Sequence, residues 1–101
     1  MSKWADYGIS AVRYNFEHTH INRVRAHPDN GDTIGITTEV DRIDVIKAIR
    51  IGTTFVTILK ESDGNWQKGQ PVYIIEVNGV EYIKTVDNGE AADNLENLPE
   101  F

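Results

Sequence analysis

Between two apolar runs, "VYIIEV" at 72–77 and "VEYIKT" at 80–85, the chain places Asn78-Gly79. No other stretch restricts the fold as strongly. Both central residues of a two-residue type I′ loop take φ > 0, which Asn and Gly tolerate and most residues do not, so the pair predicts a tight antiparallel hairpin. Such a loop also sets register. Val77 opposes Val80, Ile75 opposes Tyr82 and Tyr73 opposes Lys84 on one face. Glu76 opposes Glu81, Ile74 opposes Ile83 and Val72 opposes Thr85 on the other. Both faces are largely apolar. The hairpin therefore needs cover on both sides, from a helix on one and another sheet or the C-terminal tail on the other.

The helix is predicted over 42–51. Asp41 is its expected N-cap, Asp44 puts negative charge near the positive end of the dipole, and Lys47 and Arg50 sit toward the negative end. Val45, Ile46, Ala48 and Ile49 form one contiguous arc that faces a core. Gly52 stands where a C′ residue with positive φ is expected.

Upstream, alternating segments at roughly 7–15 and 19–27 predict a first hairpin. Ile21 and Val24 have opposite parity, and a β-bulge near Asn22 would return both to one face. "PDNGD" at 28–32 ends the second strand as a turn. After the helix come "TTFVTILK" at 53–60, the turn "ESDGN", a short piece around Trp66 and the loop "KGQP". The expected architecture is α+β, in the order β-β-α-β-β-β, with an antiparallel β-sheet or partly closed barrel and one helix. Residues 1–85 form the compact domain and residues 86–101 an acidic tail.

The 101 residues suffice for one hydrophobic core. Without cysteine there are no disulfides, no thiolate chemistry and no cysteine-ligated zinc. The opening "MSKWADYGIS" is not expected to be a secretory signal, and no apolar run approaches the ~20 residues of a membrane helix. A soluble cytoplasmic protein is expected, a monomer or weak homodimer with no membrane partner. Net charge is −6 and uneven. Residues 1–27 hold Lys3, Arg13, Arg23 and Arg25 against Asp6 and Glu17, net +2, which leaves −8 for the remainder. Residues 86–101 carry Asp87, Glu90, Asp93, Glu96 and Glu100 and no base.

The blocks "WADYGISAVRYN", "THI", "GTTFVTILK", "VNGVEYIKT" and "DNLENLPEF", in this order, resemble domain of unknown function family 3892, a set of short bacterial and phage-associated proteins. The likeness runs from Trp4 to Phe101. It implies a bacterial or phage origin, a small self-contained domain and a tail that belongs to it, and it supplies no catalytic residues. Gly8 stands where the resemblance implies a larger apolar residue. Leu95, Leu98, Pro99 and Phe101 are spaced as anchors, so "NLENLPEF" is expected to dock in part on the sheet.

Several residue groups invite a chemical reading. His18 and His20 share a strand face, as two ligands of one metal would, but His27 is too far along the strand to join them and only Asp or Glu could complete the site. A solvated polar face explains them better. Glu76 and Glu81 face each other across the hairpin, a carboxylate pair or simply two charges at a wet turn tip. "DNGDTIG" at 29–35 lacks calcium-loop spacing, and no phosphate loop or nucleophile-and-base arrangement is visible. Neither an enzyme nor a cofactor is expected.

What remains is binding. A protein partner is favoured, met through the acidic surface, with Trp66, Glu76, Glu81, Glu96 and Phe101 as contact residues. The alternative is single-stranded nucleic acid, gripped by Arg13, Arg23 and Arg25 beside Tyr14 on the first hairpin.

Overall fold

The computed structural model describes residues 4–17, 20–31, 34–85, 93, 95 and 98–101. The elements are β1 (Tyr7–Tyr14), β2 (Ile21–Pro28), β3 (Thr38–Asp41), α1 (Arg42–Arg50), β4 (Phe55–Lys60), β5 (Trp66–Pro71), β6 (Tyr73–Val77) and β7 (Val80–Lys84). Five strands form one sheet in the order β3-β2-β1-β4-β5, and β6 and β7 form a separate two-stranded sheet. Among the described residues the protein is α+β, mostly strand, with one helix.

Local sequence chemistry appears where it was expected. Asn78 has φ 53° and Gly79 φ 81°, and the hairpin keeps the anticipated register from Tyr73↔Lys84 to Val77↔Val80. Gly52 has φ 100° and closes α1 as a Schellman motif, its N–H donating to the Ile49 carbonyl and that of Thr53 to the Ala48 carbonyl. Between Tyr14↔Ile21 and Arg13↔Arg23 the register skips Asn22, so Ile21 and Val24 both turn inward.

The order β-β-α-β-β-β is corrected in two places. β3 precedes the helix and was missed because "TEVD" is short and polar, as befits a strand with one neighbour. β5 replaces the expected "KGQP" loop. It is an edge strand, where a terminal Pro removes no needed ladder bond. The sheet is also mixed rather than antiparallel, since β1 pairs with β4 in parallel from Tyr7↔Phe55 to Ile9↔Thr57. The path from β2 through β3 and α1 returns the chain on the other side of β1, and such a crossover yields parallel strands. Among the described residues the edges at β3 and β5 are open, so the sheet does not close into a barrel.

The core lies between the large sheet, α1 and the small hairpin. Ile9, Val12, Ile21, Val24, Val45, Ile46, Phe55, Ile83 and Leu95 are buried there, each worth about 1.5–3 kcal/mol relative to exposure for the larger side chains. Ile74 packs against the same cluster. On the hairpin's other face Tyr82 is buried while Tyr73 stays exposed. Asp41 does not cap α1 with its side chain. It belongs to β3, and its carboxylate takes Arg23 Nε at 3.0 Å instead.

Residues 99–101 run beside β1 where β4 has diverged. The Val12 N–H donates to the Pro99 carbonyl, and the Phe101 N–H donates to the Val12 carbonyl, both at 3.0 Å. Leu98 packs against the core.

Candidate functional site

The large sheet has a core face and an outer face, and strand parity decides which residues occupy the latter. Arg13 opposes Arg23 across β1 and β2, and Arg25 and His27 follow Arg23 at two-residue steps, so all four share the outer face. Gly8 also lies there. A Cβ at Gly8 would stand 2.7 Å from Ile58 Cδ1, so the space of a larger side chain is filled by Ile58.

A second irregularity of β1 creates the site. Register passes from Ile9↔Ala26 to Ala11↔Arg25, leaving Ser10 as the extra residue of a bulge. Its hydroxyl lies 2.7 Å from His27 Nε2, and His27 Nδ1 lies 3.0 Å from the Gly35 carbonyl. A carbonyl only accepts, so Nδ1 carries the proton and Nε2 accepts from Ser10. Gly35 is brought there by its own N–H, which donates to the Pro28 carbonyl at 2.8 Å. His27 is 5% exposed. The Trp66 ring packs on it at 5.2 Å, tilted by 56°.

Over these groups opens a cleft of about 660 Å³, with Ser10, Arg25, His27, Thr37, Lys60 and Trp66 in its wall. The wall holds hydroxyls, one imidazole, two cations and an indole. A second, more apolar groove of about 420 Å³ lies between α1 and the sheet, beside Tyr7, Val40, Ala48 and Phe55.

Of the residues singled out from sequence, Trp66 lies in the cleft, with Lys60 Nζ 5.5 Å over its ring. Phe101 has two guanidinium groups over its ring, Arg13 at 4.8 Å and Arg25 at 4.2 Å from its centroid. Arg13 Nε also donates to the Phe101 carbonyl at 2.9 Å. Arg23 turns to the β3 edge, 3.0 Å from Asp41 and 3.9 Å from Glu39. Tyr14 is on the core side, where its hydroxyl accepts from the Leu95 N–H. Burial raises the Tyr14 pKa above its ordinary value, and the charges of Glu100 and Asp93 act in the same direction.

Glu76 and Glu81 do oppose each other, on the separate hairpin, and Arg50 pairs with Glu81. Glu96 and His18 lie outside the described residues. His20 stacks on Tyr82 at 5.6 Å and lies 3.9 Å from the Asp93 carboxylate. Among the described residues no three His, Asp or Glu side chains gather as metal ligands, and no helix is long and apolar enough to cross a membrane.

Sequence reasoning missed Ser10, Thr37 and Lys60, and saw His27 only as a distant ligand. The Ser10–His27 contact joins two residues seventeen apart, a separation at which no local motif shows it. The failed alternation at Ser10-Ala11-Val12 was the available signal, since Ala11 and Val12 are both buried neighbours.

Fold and site together define a small α+β domain whose polar cleft lies on the outer face of a mixed five-stranded sheet. Its family is known. The family model described as "Protein of unknown function (DUF3892)" matches residues 8–99, and the chain belongs to that family. No curated protein and no solved structure matches it.

Proposed function

We propose that this chain is a non-catalytic binding domain whose partner is another protein, and that it meets that partner through an acidic surface at the β3 edge. The carrying observation is the edge itself. Among the described residues β3 ends the sheet with a neighbour on one side only. Such an edge offers backbone donors and acceptors to an added strand. Glu39 and Asp41 project from it, Asp44 follows on α1, and Ile36 just before it is 87% exposed. Arg23 is one cation serving two of these carboxylates, so the edge keeps net negative charge. An extended segment carrying Lys or Arg suits it in shape and charge. Absence of cysteine fits a reducing compartment, and a cytoplasmic monomer or weak homodimer accords with this reading.

His27 uses both ring nitrogens to tie β1, β2 and the loop at Gly35 together, which suits a structural wall better than a proton shuttle. The second reading, single-stranded nucleic acid, is favoured by one observation: Arg13, Arg23 and Arg25 share a face with Trp66 and Phe101.

One experiment separates the two. The tagged chain is used to capture partners from a cell lysate with and without nuclease, beside a Glu39→Lys/Asp44→Lys variant and an Arg23→Glu/Arg25→Glu variant. Capture that survives nuclease and is lost in the first variant supports the β3 edge. Capture that nuclease and the second variant abolish moves the function to nucleic acid.

A further inference from the structure

We propose that the cleft over His27 binds a small planar anion, a flat ring bearing a carboxylate or a phosphate. Charge selects the sign. The chain carries −6 overall, yet among the described residues no carboxylate lines this cleft, while Arg25 and Lys60 do. Three other arginines are neutralised: Arg23 by Glu39 and Asp41, Arg42 by Asp93, Arg50 by Glu81. Arg25 and Lys60 form no ion pair among the described residues, and each rests on an aromatic ring instead. A guanidinium held over a ring rather than against a carboxylate can still offer N–H groups to an anion. Two cations in a concave wall concentrate positive potential there.

The ring follows from Trp66. Its indole borders the cleft, and the group over it is Lys60, an exposed side chain whose cation–π contact is weak enough to yield to a ligand. An incoming ring takes the place over the indole, and the displaced ammonium meets the anion. Orientation comes from hydroxyls. Ser10 directs its proton to His27 and so presents lone pairs as acceptors, while the Thr37 hydroxyl supplies a donor. A volume of about 660 Å³ is within the range of small-molecule sites.

Arg25 is the register partner of Glu39, so the cleft adjoins the β3 edge, but the two are tested apart: the cleft by a small anion, the edge by a protein partner. The test is an NMR titration of the full ¹⁵N-labelled chain, following the Trp66 indole N–H and the His27 ring. The probes are adenosine 5′-monophosphate and indole-3-carboxylate, with adenosine and inorganic phosphate as half-ligands. At least one ring anion is expected to give saturable shifts with Kd below about 1 mM, at least about tenfold tighter than either half-ligand. The tighter of the two names phosphate or carboxylate as the natural group. Lys60→Glu, at an exposed position, is expected to weaken binding at least about tenfold. Arg25→Glu is expected to do the same. No saturation by either ring anion at about 10 mM overturns the proposal, as does adenosine binding equally well or unchanged affinity in Lys60→Glu.

Discussion

The Asp93 carboxylate accepts a hydrogen bond from Arg42 Nε at 2.6 Å, joining positions fifty-one residues apart. It also accepts from the backbone N–H groups of Ile21 and Ile83, each at 2.8 Å. Arg42 in turn donates to the Glu81 carbonyl. One side chain with no exposed surface thus links β2, β7 and the start of α1. Asp93→Ala leaves the Arg42 charge and two buried donors without their acceptor. The expected loss is about 3–5 kcal/mol of unfolding free energy, read from urea denaturation. Asp93→Asn keeps one acceptor oxygen and is expected to lose less. Equal stability of Asp93→Ala and the parent would remove this link from the account.

Gly69 lies close against Thr57, at the register shift of the β4–β5 pairing. A Cβ there would meet Thr57 Oγ1 at 2.1 Å and the Thr57 carbonyl oxygen at 2.8 Å. Thr57 sits at the register shift of β4, with its hydroxyl accepting from the Gln70 N–H at 2.8 Å. Gly69→Ala is expected to cost about 1–3 kcal/mol and to speed amide exchange along β5 before the rest of the sheet.

Phe101 anchors residues 99–101 to the sheet by its ring. With Arg13 and Arg25 over it, Phe101→Ala is expected to cost about 1–2 kcal/mol, and Phe101→Leu part of that by keeping apolar contact. A double-mutant cycle with Arg25→Gln measures the coupling, expected at about 0.5–1 kcal/mol.

Tyr14 supplies a pH dependence. Burial, with smaller help from Glu100 and Asp93, raises its pKa above the ordinary value of 10.0. Below about pH 10 the hydroxyl is protonated in both folded and unfolded chains and contributes no slope. Above it the unfolded chain releases the proton first, so stability falls as pH rises toward the folded value. Tyr14→Phe lacks this proton. The stability of the parent relative to Tyr14→Phe is expected to be flat up to about pH 10 and to decline above it, in denaturation curves taken at several alkaline pH values.

Sequence alone settled what is decided within a few residues. Asn78-Gly79 requires positive φ at both positions, and the hairpin register follows. Gly52 stops α1, the arc at Val45 and Ile46 faces the core, and the broken parity of Ile21 and Val24 marks the bulge at Asn22. Backbone dihedral preference and side-chain alternation act locally, so these features needed no partner to be legible.

Only the tertiary structure decided the rest. β3 and β5 are polar edge strands whose sequences resemble loops, because an edge strand has one partner and little apolar surface to bury. The parallel β1–β4 pair depends on the path of the crossover. The Ser10–His27 contact depends on a bulge in one strand meeting a register position of the next, seventeen residues away, and the Asp93–Arg42 link spans fifty-one. Hydrogen bonds at such separations carry no local sequence signature. They are fixed by strand order and register, which the burial of one shared core selects.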